Sequence, residues 1–380
     1  MMENAPFIYG KIAQNENFTN REKDSIYLEN NFRSLINTVI ISPRRWGKTS
    51  LVNKVVKNLS TDKNFIICQI DIFNCRTEEQ FYTTFANSLL KASYSVWEEL
   101  VHGTKKYLSR MLPNISISDM AQSVEISFGI DFKDNSLNFD EILNLPQRIA
   151  EDKQKRVIVC IDEFQNIHEY TDSLGLQQKL RSHWQHHNQV CYCLFGSKRH
   201  MLLDIFNDYK MPFYKFGDII FLDKINRNDW ITFISGRFEA TGKHIVPELC
   251  GLIADKMKNH PYYTQQLSQQ VWLRTFDSCT EEIVDEAFEA IVNQLSLLFS
   301  NLIDSLTVKQ INFLTALANG ETSFSSKETL KKYDLGTSAN IKNLKQVALN
   351  KDIIDILPQH KIEFQDPVFE YWLLHYYMRG

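Results

Sequence analysis

No apolar run in the 380-residue sequence approaches the ~20 residues that a bilayer-spanning helix needs. Its opening stretch, MMENAPFIYGKIAQNENFTNREKD, contains no long apolar segment either. A soluble, cytoplasmic protein without membrane contact is therefore expected. The seven cysteines, at 68, 75, 160, 191, 193, 250 and 279, never adopt Cys-x-x-Cys spacing, and most sit inside apolar runs. That argues against a zinc ribbon or a disulfide framework and for buried free thiols in a reducing compartment. A basic excess is missing too. With 42 Lys and Arg against 46 Asp and Glu the formal charge is −4, so any nucleic-acid site must be local. Internal repeats and low-complexity linkers are absent as well, and the about two to three domains that the length suggests should pack closely.

What is present changes character along the chain. From residue 37 to about 222, short β-branched runs alternate with helical patterns. Strands are expected at Thr38–Ile41, Phe65–Asp71, Val157–Ile161, Val190–Phe195 and Ile219–Leu222, with helices at Lys48–Leu59, Glu78–Glu99, Leu174–His187 and His200–Phe206. Near-continuous apolar strands separated by helices predict a parallel sheet covered on both faces, an α/β core. Residues 104–138 interrupt this rhythm, and ISISDMAQSVEISFGIDF partly alternates, as a β-hairpin insertion would. After residue 226 helices take over, at Asn228–Ala240, Pro247–Lys258, Tyr262–Phe276 and Glu281–Phe299. From Leu306 the order is three helices, two short strands around Pro358 and an aromatic helix, the order of a winged helix-turn-helix. The expected domains are a core over 1–225, a helical lid over 226–300 and a winged helix over 301–380.

The stretch TVIISPRRWGKTSLVNK, residues 38–54, carries the chemistry. Ser42, Gly47, Lys48 and Thr49 stand at the G-x-x-x-x-G-K-[ST] spacing of a phosphate-binding loop, with Ser42 where the first glycine is usual. In such a loop Gly47 lets the backbone close on phosphates, Lys48 supplies charge, and the Thr49 hydroxyl ligates Mg²⁺. Ser42 is expected to keep the turn at some conformational cost. About 110 residues on, RVIVCIDEFQNI places Asp162 and Glu163 just past an apolar strand. A parallel sheet brings both strand ends to one crevice. There Asp162 suits a water-mediated Mg²⁺ partner and Glu163 the base that orients the attacking water. Ser197, after the strand ending in LFG, would sit beside the γ-phosphate as a polar sensor if its strand lies between those ending at Ser42 and Asp162. Lys198 and Arg199 could complete the charge there or face solvent, and Asp71 could shape the cleft.

Together these residues resemble the archaeal-type P-loop ATPases of the STAND and AAA-like group. FTNRE, with Phe18, Arg21 and Glu22, is similar to the group's aromatic-arginine-acid lead-in, SPRRWGKTSL to its loop, and IDEFQ to its Walker B strand. NHPYYTQQL resembles its lid segment, with Asn259 at the usual glycine, and FQDPVFEYWL resembles the end of its winged helix. The resemblance implies a catalytic set of Glu163, Lys48 and Ser197. It implies nucleotide contacts from Ser42, Pro43, Arg44, Arg45, Trp46, Gly47, Lys48, Thr49, Ser50, Arg21 and Pro261, and metal contacts from Thr49 and Asp162. The expected ligands are ATP and Mg²⁺, and the expected activity is slow ATP hydrolysis in a switch that responds to a protein partner. A nucleotide-dependent DNA-binding or scaffold protein with negligible turnover is the alternative. Residues 301–380 hold nine basic and nine acidic side chains, so the winged helix has no net basic field for DNA. A preference for adenine over guanine is what the resemblance implies, and no guanine-reading Asn-Lys-x-Asp segment occurs. His183 and His187 have a spacing that can hold zinc but no third ligand nearby, and a surface helix is expected instead.

Overall fold

A computed structural model describes residues 5–13, 15–94, 112–117, 124–129, 139–357 and 361–378. It contains two compact units, one made of Arg21–Ser42 with Lys48–Leu222, the other of Met1–Asn20, Pro43–Gly47 and Asp223–Gly380. The first is the sheet unit. Its strands are β1 (Thr38–Ile41), β2 (Phe65–Asp71), β3 (Leu112–Ile117), β4 (Val124–Gly129), β5 (Arg156–Asp162), β6 (Val190–Gly196) and β7 (Asp218–Phe221). Five of them form one parallel sheet in the order β2-β5-β6-β1-β7. The expected α/β core is therefore present. β3 and β4 pair antiparallel within the expected hairpin insertion.

Burial on both faces explains the apolar runs. Every residue of β6 is buried, and so are Val157 through Ile161 of β5. Helices Lys48–Leu59, Glu78–Ser93 and Ser173–Trp184 contribute Leu51, Val55, Phe81, Phe85, Leu176 and Trp184 to the interior. Trp184 stacks on Tyr192 with ring centroids 4.1 Å apart, and such aromatic pairs add about 0.5–1.5 kcal/mol beyond the area they bury. The observed helix begins at Ser173 rather than Leu174, because the Asp172 side chain caps it by accepting from the Gly175 N–H. It ends at Trp184, so His187 lies beyond it, with its ring bonded to the Tyr192 hydroxyl at 2.8 Å. The described part of the helix expected over Glu78–Glu99 ends at Ser93, and residues 95–99 lie outside the described residues.

The helical unit contains helices Arg227–Glu239, Pro247–Lys256, Pro261–Arg274 and Glu281–Asp304. The last runs five residues past the expected Phe299. Helices Val308–Ala318, Lys327–Lys332 and Ser338–Asn350 follow, then the antiparallel pair β8 (Ile354–Ile356) and β9 (Ile362–Phe364), and helix Pro367–Trp372. This is the expected winged-helix order. Thr307 and Gln310 form a reciprocal capping box that starts the first of these helices. The aromatic C-terminal segment is core: Phe369 and Trp372 lie 5.3 and 5.6 Å from Phe299, and Tyr371 lies 4.7 Å from Phe288. No helix among the described residues is long and apolar enough to cross a membrane.

Candidate functional site

In the sheet unit β1 ends at Ile41, Ser42 follows, and Lys48 opens helix Lys48–Leu59. The Lys48 ammonium is turned back to the strand end, where Nζ donates to the Ser42 carbonyl at 3.1 Å and to its Oγ at 3.3 Å. Ser42 is not among the residues with positive φ. The left-handed turns of the loop fall on Arg45 (φ 62°) and Gly47 (φ 92°). The expected conformational cost at Ser42 is therefore not incurred, because the backbone there asks for nothing that a Cβ obstructs. Gly47 does need its freedom, and nothing lies within 4 Å of where its Cβ would stand.

Three neighbouring strands deliver the remaining groups. β5 ends at Asp162, whose Oδ2 accepts from Thr49 Oγ1 at 3.0 Å while Oδ1 accepts from the Glu163 N–H at 2.8 Å. Burial first, and then the charge of Glu163, push the Asp162 carboxyl up to about 6. Glu163 occupies the left-handed region at φ 55°, uncommon for a residue with a side chain and costly by about 1–3 kcal/mol. Its Oε2 accepts from Ser197 Oγ at 3.0 Å, from the Ser197 N–H at 3.4 Å and from Gln165 Nε2. β6 lies between β5 and β1, the placement that a role for Ser197 requires. Asp71, in register with Asp162, accepts from the Phe73 N–H at 2.8 Å.

Residues 43–47 belong to the helical unit, and their side chains are engaged there. Arg45 stands over the Tyr262 ring at 4.6 Å and donates to the Tyr263 hydroxyl at 3.0 Å, which in turn donates to Asp366 Oδ2 at 2.5 Å. Burial raises the Asp366 carboxyl, opposed by the Tyr263 hydroxyl, the N–H groups of Phe369 and Val368, and Arg45. Arg44 pairs with Asp352 at 3.4 Å, a half-exposed contact worth about 0–1 kcal/mol. The Trp46 ring meets the edge of His260 at 6.2 Å. Pro43 and Trp46 also border a cavity of about 490 Å³ with three lysines on its wall. Those lysines are matched by carboxylates, Lys224 and Lys361 by Glu363 and Lys258 by Glu370, so the cavity is no anion site.

Of the expected site residues, Ser42, Lys48, Thr49, Asp162, Glu163 and Ser197 are thus linked by hydrogen bonds or chain adjacency, with Ser50 the third residue of the helix. Pro43 to Gly47 connect this set to the helical unit. Arg21 pairs with Asp24 at 3.3 Å, and Pro261 opens its helix. Lys198 is bound to Glu169 at 3.0 Å, and Arg199 is buried beside Phe221, so the alternative of two solvent-facing charges fails for Arg199. No three-residue metal cluster of His, Cys, Asp and Glu occurs among the described residues, and burial lowers His187 to about 4. Sequence reasoning missed Gln165, Tyr263 and Asp366. The first was visible only as the residue after IDEF, the others as parts of lid and winged-helix motifs.

The donor set fits a Mg²⁺–nucleotide. A hydroxyl and a carboxylate in contact are hard oxygen ligands, and an acid raised by burial and by a neighbouring carboxylate is one whose ionised form an added cation favours.

Residues 46–174 match the KAP family P-loop domain, and residues 297–375 match a probable winged helix domain. A Walker-type ATPase of Pyrococcus abyssi has a similar fold, with a TM-score of 0.67, 16% identity and coverage of 97% of this chain and 99% of the other. The ORC2 protein of Aeropyrum pernix, in ADPNP–ADP complexes, gives 0.60 at 12% identity over 100% and 99%. Its ADP form gives 0.53 at 13% over 92% and 91%. No curated protein sequence matches the chain. The chain is a P-loop NTPase by fold, an α/β core joined to a C-terminal winged-helix domain.

Proposed function

We propose that the protein binds ATP with Mg²⁺, hydrolyses it slowly, and uses the state of the nucleotide to change how its winged helix is presented to a protein partner. The observation that carries this reading is the division of labour in one loop. Lys48 and Thr49 are tied to the sheet unit at Ser42 and Asp162, while Arg45 is bound through Tyr263 to Asp366 at the start of the winged helix's last helix. Phosphates entering the loop would draw on Lys48 and on the backbone around Gly47, and any shift there is felt at Arg45 three residues earlier.

Thr49 and Asp162 are the residues that would hold Mg²⁺, which supplies charge neutralisation at the phosphate oxygens when bound. The chain's own groups do the rest. Lys48 exchanges its Ser42 acceptors for β- and γ-phosphate oxygens. Glu163 accepts a proton from water as the water oxygen bonds to the γ-phosphorus. The bond from that phosphorus to the bridging oxygen breaks, its electron pair leaves on ADP, and phosphate is the second product. Ser197 holds Glu163 at Oε2 and faces the same crevice. The preference for adenine and a cytoplasmic setting belong to this proposal. Calorimetry with ATP–Mg²⁺, phosphate release, and hydrogen exchange over Ile362–Trp372 with and without nucleotide test it together. Binding, slow turnover and altered exchange are expected, and unchanged exchange on saturation with ATP–Mg²⁺ would overturn the coupling.

A further inference from the structure

Glu163 enters the turn after β5 in a left-handed conformation. Its side chain is steered from outside. The Ser197 hydroxyl and N–H reach Oε2 from the end of β6, and Gln165 Nε2 reaches the same oxygen from the short helix Phe164–Glu169. These donors all gather on Oε2, which leaves Oε1 as the oxygen to meet water in the hydrolysis proposed above.

Gln165 is 1% exposed, and its carbonyl Oε1 is buried without a hydrogen-bond partner. An amide buried with one bond unmade is unfavourable, so a residue that merely filled this space would be apolar. The amide also occupies a seat that the neighbouring strand leaves open. A Cβ at Gly196 would stand 1.7 Å from Gln165 Oε1, 2.9 Å from its Cδ and 3.3 Å from Glu163 Cα. The opposite amide orientation would set the carbonyl oxygen against the carboxylate, so the charge on Glu163 fixes Nε2 toward it. Asn166 secures the turn from the other side, donating to the carbonyls of Ile72 and Phe73 at 3.4 Å each.

We propose that Gln165 is a positioning residue for hydrolysis: its amide, seated over Gly196, holds the Glu163 carboxylate in the orientation from which it takes a proton from water. This rests on the reading of Glu163 as the base. Gln165 touches neither the water nor the nucleotide and acts through Glu163 alone.

The test uses the full chain with ATP–Mg²⁺ and compares Gln165→Met, Gly196→Ala and Glu163→Gln, alone and with Gln165→Met combined with Glu163→Gln. Methionine keeps the length and volume at 165 while removing the N–H donor and the unpartnered carbonyl. Gln165→Met should lower kcat about tenfold, the scale of one hydrogen bond to a charged group, with KM and ATP affinity within about twofold and no loss of melting temperature. In the Glu163→Gln background it should lower kcat no further, because the group that it positions is already gone. Gly196→Ala, which keeps both Gln165 and Glu163 but displaces the Gln165 amide, should reproduce the kcat defect, and it decides the matter if Gln165→Met fails to fold. A kcat in Gln165→Met equal to wild type, or an equal additional loss in the Glu163→Gln background, would overturn the proposal while leaving Glu163 as the base. Wild-type turnover insensitive to Glu163→Gln would instead remove the base, and the role of Gln165 with it.

Discussion

The two units treat buried charge in different ways. In the sheet unit Asp162 and Glu163 adjoin at a strand end with hydroxyl, amide and backbone donors as their partners, and burial and then the charge of Glu163 raise Asp162 to about 6 against the pull of its donors. In the helical unit Asp366, also raised by burial, faces a guanidinium through one phenol, and Glu363 lies between two lysines that hold it below the usual carboxylate range against its own burial. One unit surrounds its acids with hydroxyl, amide and backbone donors, and the other pairs its acids with lysines and a guanidinium. Structural ion pairs and a reactive site both perturb pKa values, and what separates them is whether a protein cation completes the set.

Perturbing each side of this contrast gives effects of decreasing size. Lys48→Ala should weaken ATP–Mg²⁺ binding by about 10³-fold, the scale of removing one member of a buried charge pair, with calorimetry as the measure. Retained affinity would show that the loop does not grip phosphates. Glu163→Gln keeps the shape and removes the base, so phosphate release should fall by roughly 10²-fold or more while binding survives. On the other side, Tyr263→Phe keeps the ring under Arg45 and deletes the hydroxyl linking it to Asp366. The nucleotide-dependent change in exchange over Ile362–Trp372 should shrink about threefold with ATP affinity little altered, and an undiminished change would place the coupling elsewhere.

Smaller effects come from two buried histidines, one per unit. Burial, then the charges of Lys224 and Arg45, depress His260 to about 3, and burial depresses His187 to about 4. Both fold as neutral rings. Their contribution is complete above the unfolded value of 6.5 and is lost as pH falls from there through the folded values, because the unfolded chain takes up the proton first. His260→Asn, whose oxygen can accept from the Tyr262 N–H as Nδ1 does at 3.2 Å, should flatten the fall in melting temperature between pH 6.5 and 4, where the buried ring costs about 3 kcal/mol of stability in total. The least effect is expected for Lys342→Glu with Lys345→Glu on binding to random duplex DNA. A domain with nine basic and nine acidic residues has little non-specific attraction to lose, and steep, salt-sensitive binding abolished by these changes would favour a DNA role.

The core was readable because a sheet buried on both faces requires near-continuous apolar strands. All five strands of the parallel sheet overlap the runs seen at Thr38, Phe65, Val157, Val190 and Ile219. Boundaries shifted where a local bond prevailed over periodicity, as at Asp172 before helix Ser173–Trp184. The site was legible to the extent that its chemistry is encoded by spacing. Gly47, Lys48 and Thr49 need only the start of a helix, and Asp162 and Glu163 only the end of a strand.

Sequence alone could determine these groups because each depends on its neighbours in the chain: an oxyanion loop on one turn and one helix end, an acid on the residue that follows an apolar run. Tertiary structure decided the rest. Arg45 reaches Tyr263, 218 positions away, and Tyr263 reaches Asp366, 103 positions on. Glu163 meets Ser197 across 34 positions, and the amide of Gln165 needs the bare Cα of Gly196 on another strand. Contacts of this kind depend on strand order and on helix packing, which periodicity does not encode, and so the side chains that hold Glu163 and the loop emerge only once the chain is folded.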